Sequence, residues 1–152
     1  MGAEFFYGFG EGETIDKAFR NLVKEAKLDY GRRGYTGTIA EKDSYHLWNL
    51  SDEIAYLKKL VDNDGIPNPI VKTGRTDPDD EDLEEEAWVC YKSGITEFVN
   101  NLSNLTIDEQ AEEVAGILGA DLGDRRFADK WGPAHVFQVG SHRWLFFGWA
   151  SA

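Results

Sequence analysis

The segment Trp144-Leu-Phe-Phe-Gly-Trp149 constrains the fold more than any other part of the chain. Alternate residues of a strand face opposite ways, so Trp144, Phe146 and Gly148 share one side and Leu145, Phe147 and Trp149 the other. Both sides are apolar. Such a strand needs cover on both faces, at the centre of a sheet or at an interface. Core is the first reading, and a homo-oligomer or partner surface is the second. A pocket that stacks a nucleobase is the third, and Tyr7, Tyr35 and Trp131 would contribute to it. With 152 residues, 41% hydrophobic and 13% aromatic, the chain can bury a core as one domain spanning 1–152.

Glu4 to Gly10 reads as a strand with four aromatics, followed by a Gly-rich turn. Ile15, Ala18, Phe19, Leu22, Val23 and Ala26 recur at helical period, so a helix capped by Thr14 is predicted to about Tyr30, with Gly31 as its stop. Tyr35 to Trp48 has strand composition, as one strand or two bent near Asp43-Ser44. A second helix is predicted from Ser51 to about Asp62, burying Ile54, Leu57, Leu60 and Val61. Residues 65–86 read as irregular, Trp88 to Tyr91 as a strand around a buried Cys90, and Thr96 to Leu105 as a short helical turn. Thr106 and Glu109 have capping-box spacing and open a third helix to Gly119, with Ile107, Ala111, Val114, Ala115 and Leu118 on its buried face. Ala134–Val139 and Arg143–Ala150 form a terminal hairpin. The expected class is α+β: a mixed, mainly antiparallel sheet with about three helices mostly on one face.

Charge is unevenly placed. The chain carries 28 acidic and 16 basic residues, and Asp77-Pro-Asp-Asp-Glu-Asp-Leu-Glu-Glu-Glu86 holds eight of the acids in ten positions. Without that run the balance is 20 to 16. Asp77, Asp79, Asp80, Glu81, Asp82, Glu84, Glu85 and Glu86 resist packing and favour solvent, cations or a basic partner. Direct nucleic-acid binding is disfavoured, because phosphates require clustered cations and the pairs Arg32-Arg33, Lys58-Lys59 and Arg125-Arg126 are short and separated. The bland reading of the acidic run is a solvated loop. The functional reading is mimicry of nucleic acid, because DNA carries one charge per roughly 1.7 Å of axis.

No enzyme signature emerges. Gly8-Phe-Gly10-Glu-Gly12 lacks the spacing of a dinucleotide fingerprint and the Lys-Ser/Thr of a P-loop, and Glu11 and Glu13 would repel an anion. His46, His135 and His142 lack metal-site spacing, and Asp77-x-Asp79-x-Glu81 has Asp82 where an EF-hand needs glycine. One cysteine excludes an internal disulfide. No catalytic residue, metal or cofactor is expected. The N-terminus lacks a secretion signal and no apolar run suits a membrane span, so a cytoplasmic location is expected.

Phe6-Tyr-Gly-Phe-Gly-Glu-Gly, Gly34-Tyr-Thr-Gly-Thr-Ile-Ala-Glu-Lys42, Lys130-Trp-Gly-Pro-Ala134 and Phe146-Phe-Gly-Trp-Ala150 together resemble a family of small, largely uncharacterised bacteriophage and bacterial proteins. The similar segments cover the first 42 residues and the last 23. The resemblance implies a phage-type accessory protein working in the host cytoplasm, where counter-defence is a recurrent role. The leading expectation is therefore an anti-CRISPR or anti-restriction inhibitor whose acidic run occupies the basic surface of a host nucleic-acid-binding protein. The alternative is a nucleotide-binding or sequestering protein with an aromatic cleft at Tyr7, Tyr35 and Trp131.

Overall fold

A computed structural model describes residues 2–30, 37–62 and 81–151, with backbone only for Tyr30 and residues 81–87. The fold is α+β, as expected, with four helices and a four-stranded mixed sheet among the described residues. The chain divides into two compact units, residues 1–50 with 126–152, and residues 51–125.

The first unit holds the sheet. Its elements are β1 (Ala3–Glu11), α1 (Ile15–Tyr30), a 3-10 turn (Ile39–Glu41), β2 (Tyr45–Trp48), β3 (Ala134–Gly140) and β4 (Arg143–Ser151). The strand order is β1-β4-β3-β2. β4 is central, and Trp144 to Phe147 are buried, as its two apolar faces require. β1 pairs antiparallel with β4 from Ala3↔Ser151 to Glu11↔Arg143, β3 pairs antiparallel with β4, and β2 runs parallel to β3.

α1 forms where its period predicts, and the Thr14 hydroxyl accepts the Lys17 N–H at 3.2 Å. Its Ala18, Phe19 and Ala26 are buried with Val136, Trp144 and Phe146 of the sheet. The Phe19 ring lies 4.9 Å from Tyr45 and 5.7 Å from Phe146, and its burial contributes about 1.5–3 kcal/mol. Gly10 permits this closeness, since a Cβ there would sit 3.0 Å from the Ala18 carbonyl oxygen and 3.0 Å from Phe146.

The long strand expected over Tyr35–Trp48 shrinks to Tyr45–Trp48. Gly37 takes φ +70°, and the Thr38 hydroxyl accepts the Ala40 N–H, so the chain turns into the 3-10 segment instead of extending. Lys42 follows it, buried, with Nζ donating to the carbonyls of Lys130 (2.9 Å) and Gly132 (2.8 Å). One ammonium group thus ties residues 37–42 to the turn at residues 130–132.

The second unit holds most of α2 (Leu50–Asp62), α3 (Glu81–Asn101) and α4 (Ile107–Ala115). α2 buries Ile54, Leu57 and Leu60 and begins one residue before the expected Ser51. α3 overturns two expectations: Trp88–Tyr91 is helical rather than extended, and Cys90 is exposed rather than buried. The helical turn expected over Thr96 to Leu105 is the end of this helix, to Asn101, and a 3-10 turn over Leu102–Asn104. Trp88, Ile95 and Phe98 are its buried residues, at spacings that fit a helix face and not a strand. α4 has the expected capping box: Thr106 Oγ1 accepts the Glu109 N–H and the Glu109 carboxylate accepts the Thr106 N–H. It buries Ala111, Val114 and Ala115 but leaves Ile107 47% exposed, contrary to expectation, and runs into a π-helical turn over Gly116–Asp121.

Candidate functional site

Glu81, Asp82, Glu84, Glu85 and Glu86 lie on the first turns of α3, so this part of the acidic run is helical and not irregular. Asp77, Asp79 and Asp80 lie outside the described residues, as does Tyr35. Glutamate is a good helix former, and carboxylates near an N-terminus complement the helix dipole. Asp-Pro-Asp-Asp ahead of Glu-rich sequence is a legible helix-start signal. At 1.5 Å rise per residue, five carboxylates over six residues give one per about 1.8 Å of axis. B-DNA carries one per roughly 1.7 Å.

The two described aromatics of the expected cleft are both exposed, Tyr7 by 62% and Trp131 by 63%. Tyr7 stands on β1. Trp131 stands on a turn where its N–H donates to Asp129 Oδ1 (2.9 Å), Lys42 clamps the carbonyls either side, and the Lys130 ammonium lies 5.2 Å from its ring. Burial holds the Lys42 amine below its usual value, opposed by the carboxylates of Asp129 and Glu41. This fixes the turn that presents Trp131.

Tyr7 lines a groove of about 400 Å³ between β1 and α1, whose lining does not include Trp131. Phe6, Leu22, Ala26 and Ile39 give it an apolar floor, while Glu4, Glu25 and Asp29 supply carboxylates, and among the described residues no cation lines it. A neighbouring hollow of about 460 Å³ shares Leu22 and Glu25 and extends along β1 to Glu11, with Lys24 and Arg143 in its wall. Arg143 is committed to Glu11 and lies over the Phe9 ring at 4.3 Å. The carboxylates of the described lining favour cations over a nucleotide's phosphates. It combines residues read separately as strand, helix face and surface charge, and the signal that could have found it is the aromatic strand at a sheet edge.

His135 is buried, and its Nδ1 accepts the Trp48 indole N–H at 2.9 Å with Phe127 edge-on at 4.9 Å. That arrangement fixes packing and gives the imidazole no open path to a reactant. The His46 ring lies tilted against Trp48 at 4.5 Å between centroids, and His142 is exposed at the β3–β4 turn. No helix among the described residues is long and apolar enough to cross a membrane. No protein-family model, curated protein or solved structure matches the chain.

Proposed function

We propose that this protein is a non-enzymatic inhibitor of a nucleic-acid-handling protein, presenting carboxylates where that partner expects phosphates. The observation that carries the reading is the linear charge density at the start of α3, close to that of duplex DNA. The helical backbone spaces these residues at a fixed rise, which supports a regular charge along the axis. Charge of this kind steers association, and apolar contacts supply the remaining affinity. With the phage-type resemblance, the partner class is a host defence nuclease of the CRISPR or restriction kind.

The test is capture from host lysate with the tagged full chain, against a variant carrying Asp79→Asn, Asp80→Asn, Glu84→Gln and Glu85→Gln. The expected result is one nucleic-acid-binding partner, identified by mass spectrometry, displaced by duplex DNA and lost in the variant. Its affinity should fall as salt rises, because screening weakens exposed charge attraction. Equal capture by both chains, or an affinity indifferent to salt, refutes the mechanism.

A further inference from the structure

We infer that β1 is a docking edge for an extended basic peptide of a partner protein, which adds a fifth strand to the sheet. This surface contains none of the acidic residues 77–86 and goes beyond the function proposed above.

β1 is terminal in the strand order, and among the described residues nothing pairs with its outer side. It is nine residues long, pairs with β4 without a register shift, and contains no lysine, arginine or proline. Sheet edges are usually blunted by such residues, by bulges or by shortness, because free N–H and C=O groups template further pairing. β1 has no bulge, lysine or proline, and its charged residues are Glu4 and Glu11, near its ends. The Gly12 N–H donates to the His142 carbonyl at 3.2 Å, extending the ladder and placing the even-numbered residues in its hydrogen-bonded pairs. The backbone groups of Phe5, Tyr7 and Phe9 therefore point away from β4, toward an incoming strand.

The groove beside this edge specifies the guest. Glu4, Glu25 and Asp29 line the half nearest the start of β1, and no cation among the described residues lines it with them. Phe5, Tyr7 and Phe9 lie on the sheet face opposite to Gly8 and Gly10, which pack beneath α1. A paired strand would alternate in the same way, one side toward the α1 carboxylates and the other beside the aromatic row. The fitting peptide alternates Lys or Arg with aromatic or β-branched residues. A second copy is a poor occupant, because antiparallel β1 strands would bring together two sets of Glu4 and Glu11 on chains of charge -12.

The experiment is selection of a displayed random decapeptide library on the full chain, followed by synthesis of the enriched peptide. Enrichment of alternating basic and apolar sequences is expected. Binding should weaken about tenfold or more when alternate peptide nitrogens are methylated, or with Tyr7→Pro, which removes an outward N–H. Glu25→Lys with Asp29→Lys should weaken it likewise, while the chain neutralised at Asp79, Asp80, Glu84 and Glu85 should bind unchanged. No enrichment, enrichment without basic alternation, or indifference to peptide N-methylation overturns the inference. So does a chain dimer abolished by Tyr7→Pro, which would give the edge to a second copy. The N-methylated peptide keeps the test decisive should Tyr7→Pro fail to fold.

Discussion

Gly8 and Gly10 lie two apart on the same face of β1, yet alanine should act on them with opposite sign. At Gly10 the new methyl would meet the Ala18 carbonyl oxygen and a Phe146 ring carbon, both at 3.0 Å. The first is helix backbone and the second a fully buried ring, so neither yields freely. Overpacking of this kind costs about 1–3 kcal/mol, offset by the 0.5–1 kcal/mol or so that alanine gains over glycine in a strand. The net expectation for Gly10→Ala is a loss of up to about 2.5 kcal/mol, or a few degrees of melting temperature for a chain of this size. At Gly8 the methyl would meet only Leu22 Cδ atoms at 3.6 and 3.7 Å, ordinary contact. Gly8→Ala should be neutral or stabilising by up to about 1 kcal/mol. Neither glycine has positive φ, so the comparison isolates packing. Urea unfolding followed by circular dichroism and fluorescence reads both variants. Equal stability of the two would refute the closeness of α1 and β1 at Gly10.

Lys42→Met retains the stem but removes both hydrogen bonds to the Lys130 and Gly132 carbonyls, and should cost about 1–3 kcal/mol in urea unfolding. Burial lowers the Lys42 amine in the folded state, so between that lowered value and 10.5 the unfolded chain binds more protons and stability rises with pH. The deficit of Lys42→Met relative to the wild type should therefore widen through that window, and a constant deficit would contradict it. Thr106→Ala removes the capping-box hydroxyl and should destabilise by about 0.5–2 kcal/mol, read as faster amide exchange in the first turn of α4. Unchanged exchange there would show that the cap is not formed.

Local signals were legible where one physical cause dominated. The period of Ile15 to Ala26 and the reciprocal spacing of Thr106 and Glu109 each required one solution, and each is found; of the readings offered for the two-faced strand at Trp144, the first, core, matches its burial. α3 was misread because Trp-Val-Cys-Tyr is strand-like in a short window. Only by reading across exposed Gly94, a poor helix residue, to Ile95 and Phe98 does the helical period emerge. The turn at Gly37–Lys42 depends on Lys42 reaching carbonyls 88 and 90 residues away, which no local propensity encodes. The groove depends on strand order, since β1 is an edge only because β4 inserts between it and β3.

That insertion also sets an order of events during synthesis. β4 is made after the other three strands, and it is the strand to which both β1 and β3 pair. Until Trp144 to Ala150 emerges, the aromatic row of β1 has no partner strand in this sheet, although α1 is already made. Residues 51–125 are translated in that interval, and the chain divides so that they fall in a compact unit of their own. A ribosome paused before β4 would therefore hold an aromatic strand waiting for its pair, with the charged unit already available to keep the nascent chain in solution.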